Sequence, residues 1–292
     1  IDKTGNTVIK PQFIQAAYFS EGLSPVMINY KWGYIDKTGK VVIEPKDYTT
    51  PMDFSEGLAP IQDSDKWGYM DKMGQVVIKP QFTEGRLFKE DLAPVMIGEK
   101  WGYIDKTGKV VIKPEFDDAY EFSEGLAIVN VAEKWGYIDK TGQVIIKPEF
   151  DDAYSFSENL GTVNVSGKWG YIDKTGNIVI KPQFDGAGKF SEDIAPVKTG
   201  TVTGFINKKG EFVIKPQFEK CTISSEGLIA VEKALKYGFI DKTGAVVIKP
   251  QFDGVEAFSD DIAVIKVNEK GSYIGKKGTL ITDVLFDAAG PF

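Results

Sequence analysis

The sequence predicts an all-β protein built as an array of short repeats. Three observations carry that reading: a motif that returns every 34 residues, β-branched runs closed by proline, and a glycine turn inside each repeat. Ile-Asp-Lys-Thr-Gly, with small changes, begins at Ile1, Ile35, Met70, Ile104, Ile138, Ile172, Ile206, Ile240 and Ile274, in steps of 34 residues with one of 35. The chain is therefore one array over 1–292, with units 1–34, 35–69, 70–103, 104–137, 138–171, 172–205, 206–239 and 240–273 and a partial unit 274–292. The extra residue falls between Pro45 and Phe54, and no linker separates the units.

A period of 34 also suits paired helices, but the residues reject them. Val110-Val111-Ile112-Lys113-Pro114 and its counterparts are stiff at χ1 and favour strands, and the proline breaks any helix running through it. Trp101-Gly102-Tyr103-Ile104 is the first strand of a unit. Asp105-Lys106-Thr107-Gly108 is a hairpin turn, with Asp accepting backbone N–H bonds and Gly supplying φ > 0. Val110 to Ile112 form the second strand, and three apolar residues in a row predict that both of its faces are covered. An ordered loop follows, anchored by rings such as Phe116 and Phe122; glycines such as Gly186 and Gly188, and Pro291, oppose a helix there. Leu126 to Val131 form the third strand. The position before it is Gly22, Gly57, Asp91, Gly125, Asn159, Asp193, Gly227 or Asp261, all residues that tolerate a left-handed backbone.

Each unit is thus three-stranded, a hairpin plus a third strand. A unit of 34 residues cannot bury its own rings, so neighbours must share cores and sheets. The expected arrangement is curved or superhelical. A closed, propeller-like ring is the alternative, although its blades ordinarily need four strands and about 40 residues.

Composition narrows function. The chain has no histidine and one cysteine, Cys221, which removes imidazole catalysis and metal sites, intrachain disulfides and thiolate clusters. A net charge of −7 argues against nucleic acid as partner, and no apolar run is long enough for membrane insertion as a helix. Arg86 is the only arginine among 35 basic residues, so two-pronged grips on carboxylate or phosphate are not a repeated feature. Lack of disulfides fits the cytoplasm and the bacterial envelope alike.

Lys100 to Ala119, Lys-Trp-Gly-Tyr-Ile-Asp-Lys-Thr-Gly-Lys-Val-Val-Ile-Lys-Pro-Glu-Phe-Asp-Asp-Ala, followed by Phe122-Ser-Glu-Gly-Leu-Ala127, resembles the bacterial WG (KWG) repeat family over the whole chain. The resemblance implies a β-rich repeat array in a bacterial protein that binds or scaffolds, with no catalytic residues to carry over. The sequence departs from the pattern late: the Trp position holds Trp32, Trp67, Trp101, Trp135 and Trp169, then Thr203, Tyr237 and Gly271, and the next glycine becomes Ser272. Weaker packing is expected there. The chain begins where Lys-Trp-Gly-Tyr would precede and stops where Ser-Glu-Gly would follow, so it reads as a piece of a longer protein.

The expected function is a non-enzymatic scaffold that binds a macromolecule, most simply protein. The alternative is recognition of cell-wall or other glycan by a row of exposed tryptophans. The plainer reading of that column is inter-unit core, with Gly beside Trp so that the ring lies against backbone. The recurring Asp and Glu are read as turn-capping groups rather than calcium ligands or a glycosidase pair, since they recur in nearly every unit and lack calcium-loop spacing. Lysines before Trp and before Pro solvate the rim and guard strand edges. Cys221 fills an alanine position, a small apolar role. Glu84 to Asp91, which holds Arg86, is the most individual stretch and a candidate for a specific contact. No catalytic, cofactor-binding or metal-ligating residue is assigned.

Overall fold

The computed structural model describes residues 1–46, 52–282, 284–287 and 290. Of the stretch between Pro45 and Phe54 in which the insertion is expected, residues 47–51 lie outside the described residues, as does Pro291. Among the described residues there is no helix: eight antiparallel sheets follow one another, six of four strands and two of three. The chain divides into two compact units, Val8–Phe150 and Ile1–Thr7 with Asp151–Phe292, with four sheets in each.

One sheet stands for the rest. Its strands are Asp118–Ala119, Leu126–Val131, Lys134–Asp139 and Val144–Phe150, paired in chain order. The sheet is out of phase with the sequence repeat. The third strand of one unit pairs with the first of the next, Ile128 opposite Tyr137 and Val129 opposite Gly136. The three-stranded expectation is corrected too: a two-residue strand inside the anchored loop, Asp118–Ala119, supplies a fourth.

Two kinds of turn join the long strands. In the expected one, Gly108 has φ 85° and donates to the Asp105 carbonyl at 2.9 Å. A second reason for glycine emerges there, since a Cβ on Gly108 would lie 2.9 Å from the Ile78 side chain of the preceding sheet. The other turn is Ala132-Glu133, with φ 50° and 63°, a type I′ hairpin whose residues carry no glycine signature. The Ser-Glu-Gly segment is a third tight turn. All eight positions predicted to be left-handed are so, Gly22 at 89° and Asp91 at 71° among them, and the preceding Glu is left-handed as well, Glu56 at 53°.

The glycine beside Trp has a reason different from the expected one. Trp101 faces Phe116 and Tyr103 faces Ile112, so the opposing strand bulges by two residues at Lys113-Pro114. A Cβ on Gly102 would sit 2.5 Å from the Ile112 carbonyl oxygen and 2.8 Å from the Pro114 nitrogen. Ser272 takes this place in the last sheet, its hydroxyl donating to the Thr282 carbonyl at 3.3 Å.

Within each unit the core lies between successive sheets. Tyr34, Tyr69, Tyr103 and Tyr171 are fully buried, and Phe205 and Phe239 take the same place in later repeats. Each of these tyrosines donates to a carbonyl 17 or 18 residues on, Tyr103 to Tyr120 at 2.8 Å and Tyr69 to Arg86 at 2.8 Å. Loop phenylalanines meet the same rings edge-on, Tyr69 with Phe88 at 4.9 Å and Phe239 with Phe258 at 4.8 Å. The loops are therefore anchored as expected, and the buried ring pair persists as Phe239 with Phe258 in the later repeats. Coverage of the second strand is corrected: Val110 and Val111 are exposed and only Ile112 is buried, because this strand is the edge of its sheet.

The first seven residues pack within the unit that holds the last sheet. Ile1 joins Ile262, Val264, Tyr273, Ile281 and Phe286. Lys3 pairs with Asp260 at 3.2 Å, as Lys106 pairs with Glu56 at 3.1 Å in the interior. The first Asp-Lys-Thr-Gly turn thus stands where a further repeat would place its own. These contacts belong to the closed, propeller-like alternative, and the open superhelical reading is the less well supported of the two.

Candidate binding site

The repeated carboxylates come first, because two per repeat would be the obvious chemistry. The turn aspartate is spent locally: Asp105 Oδ1 accepts from the Thr107 N–H at 2.9 Å, the Thr107 hydroxyl at 2.6 Å and the Lys109 N–H at 3.1 Å. The corresponding bonds from Thr4 and Thr175 hold Asp2 and Asp173 down at about 2. The Ser-Glu-Gly glutamate works between repeats. Glu56 accepts from the Glu90 N–H and, at 2.9 Å, from the Asp91 N–H of the next repeat, while Lys106 reaches it at 3.1 Å. Burial raises its pKa, but these donors outweigh it and leave Glu56 below the usual carboxylate range. Ser55 adds a bond from its hydroxyl to the Phe88 carbonyl at 2.6 Å. The groups read as turn caps do cap turns, and the glutamate also latches repeat to repeat, which sequence reasoning missed.

The tryptophans are neither free platforms nor uniformly core. Trp101 is 2% exposed and the other four are half-buried. What covers Trp101, Trp135 and Trp169 is a second column, 15 residues earlier. The Arg86 guanidinium lies 4.2 Å from the Trp101 ring and 4.3 Å from the Tyr120 ring, Tyr120 meets Trp135 at 5.7 Å, and Tyr154 stacks on Trp169 at 4.9 Å. Arg86 also donates to the Ala119 carbonyl at 2.6 Å and to Asp118 at 3.0 Å. The candidate contact in Glu84 to Asp91 is therefore an internal one: Arg86 ties its sheet to the next.

Where Trp is missing the covering column shrinks as well, to Thr222 before Tyr237. An open cleft of about 400 Å³ results, lined by Lys220, Cys221, Thr222, Ala230, Tyr237, Asp253, Gly254, Val255 and Lys266. Burial pushes the Cys221 thiol up to about 12, opposed by a Thr203 bond, so it is a weak nucleophile. Tyr237 donates to Glu232 at 2.9 Å, and Lys220 pairs with the same oxygen at 3.0 Å. The only sequence signal for this cleft is the departure at Thr203, Tyr237 and Gly271. Among the described residues, no three His, Cys, Asp or Glu side chains cluster as a metal site would need.

The WG containing repeat family matches eight times in succession, over residues 1–32, 32–67, 67–101, 101–135, 135–169, 169–200, 204–234 and 237–270. The chain belongs to the WG repeat family. The boundaries of the WG repeats at the tryptophan confirm that the repeat and the sheet are out of phase. No curated protein matches the chain. Among solved structures it is similar to a eukaryotic initiation factor, at 12% identity and TM-score 0.69, covering 96% of this chain and 89% of that one. It is also similar to the dihydro-haem d1 dehydrogenase NirN in complex with DHE, at 12% identity and TM-score 0.53, covering 95% and 78%. At such identities the likeness is one of fold alone.

Proposed function

We propose that this WG repeat chain is a non-enzymatic scaffold that binds a protein partner along its sheet edges. One observation carries the reading. Six sheets end in an edge strand that opens with two exposed apolar residues: Val76-Val77, Val110-Val111, Val144-Ile145, Ile178-Val179, Phe212-Val213 and Val246-Val247. β-branched residues on an unpaired edge offer main-chain hydrogen bonds and apolar contact to an added strand. The following Lys and Pro, as at Lys113 and Pro114, limit how far such pairing can run. The carboxylates that catalysis would need are committed to turns and latches, which supports a binding role without chemistry. Stacking by Arg86, Tyr120 and Tyr154 takes away the ring faces on which the glycan alternative depends.

The test is capture of partners from a lysate by the chain and by a variant with Val110, Val111, Val144 and Ile145 changed to Thr, beside binding to purified cell-wall glycan. Protein captured by the parent and lost by the variant supports the proposal. Retention of glycan without any protein overturns it.

A further inference from the structure

The repeats act as templates for one another, and two equivalent slots differ in what fills them. In the first, the side chain of Arg86 lies on the Trp101 ring and donates to the Ala119 carbonyl and to Asp118. Counting 136 residues on, each of these positions has a counterpart in the cleft: Thr222 for Arg86, Tyr237 for Trp101, Gly254 for Asp118 and Val255 for Ala119. The ring wall is kept, whereas the group that covers it is gone. Charge is reversed as well. Glu84 becomes Lys220, Asp118 becomes Gly254, and Asn130 becomes Lys266. Lys220 is engaged by Glu232, and Asp253 by Lys236 and the Asn268 N–H. Lys266 forms no ion pair among the described residues and lines the cleft. Asp118 holds the cation Arg86 in one slot; the other presents a ring, a small floor at Thr222 and a spare ammonium.

We propose that the cleft at Tyr237 is a binding site for an aromatic carboxylate, whose ring covers Tyr237 in the place of the Arg86 guanidinium and whose carboxylate meets Lys266. A flat ring satisfies the stacking surface, and the anion satisfies the reversed charge. The chemistry is shared by a free aromatic acid and by the C-terminal phenylalanine of a peptide. It does not rest on the sheet-edge reading of function.

The experiment is isothermal titration of the whole chain with 4-hydroxyphenylacetate, with p-cresol, with acetate, and with a hexapeptide ending in Phe, either free or amidated. The acid is expected to bind at one site per chain, and p-cresol and acetate about tenfold more weakly. Lys266→Gln should cost about tenfold in affinity. Thr222→Arg with Gly254→Asp and Ala230→Pro rebuilds the occupied slot, where Pro94 has no N–H to be served by a hydroxyl, and should abolish binding while the melting temperature holds or rises. Tighter binding of the free-ended peptide than of the small acid, lost on amidation, assigns the source as a protein C terminus; equal or tighter binding of the small acid assigns a free metabolite. The proposal is overturned if neither the acid nor the free peptide binds, if p-cresol binds as well as the acid, or if Lys266→Gln leaves the affinity unchanged.

Discussion

The stretch from Trp101 to Trp135 and the stretch from Tyr237 to Gly271 have the same strand order and different rims. Both bury an aromatic ring at the same register, Tyr103 in one and Phe239 in the other, and both set a loop phenylalanine against it. In the first, a half-exposed Tyr120 and the bridging Arg86 close the space between sheets; in the second, Thr222 and Gly254 leave it open. The difference teaches that the fold is set by buried ring, glycine and turn, while the covering side chain can be lost without loss of the sheet.

That comparison breaks if the glycines prove dispensable. Gly102→Ala forces a Cβ against backbone on the facing strand, and should lower stability by about 3 kcal/mol or prevent folding, read by urea denaturation. Arg86→Ala removes two hydrogen bonds and a stacked cation, for an expected loss of about 2 kcal/mol, whereas Thr222→Ser, which keeps the hydroxyl that accepts from the Ala230 N–H, should fall within about 0.5 kcal/mol of the parent. Equal losses at the two sites would mean that the slots are not alternatives. Tyr103→Phe strands the Tyr120 carbonyl and should cost about 1 kcal/mol, while Phe239→Tyr should gain stability by adding the equivalent bond. The smallest effect is on acid stability. Asp2 and Asp173 have folded pKa values depressed from 3.8 to about 2, so their stabilisation is present above the unfolded value and is lost as pH falls from about 4 to about 2. Thr175→Ala should raise the Asp173 value measured by carboxylate NMR and leave that of Asp2 unmoved.

Local chemistry was legible in the sequence because it acts over a few residues. The Asp105 turn, the left-handed Gly125 and Asp91, and the Phe122 anchor follow from residue type and spacing. Contacts between repeats were not. Glu56 bonds to N–H groups 34 and 35 residues away, and nothing in Ser-Glu-Gly alone distinguishes a latch from a solvated turn. The Ala132-Glu133 hairpin carries no glycine, so the pairing across the repeat boundary was hidden with it. The exposure of Val110 and Val111 was missed because an edge strand and a covered strand share the same apolar run. Arg86 stood out by composition, but its partners Trp101, Asp118 and Ala119 meet it only through the sheet order.

The glutamate latch binds main chain, and main chain is the same in every repeat. Glu56 holds the amides of Glu90 and Asp91, Glu158 the amide of Asp193, and Glu226 that of Asp261, whatever side chains surround them. A joint that ignores sequence identity lets a gene lengthen, shorten or shuffle its copies by recombination and still yield a chain whose neighbours fit. Divergence is then free to collect at the rims, where a lineage can fit new recognition to an unchanged frame.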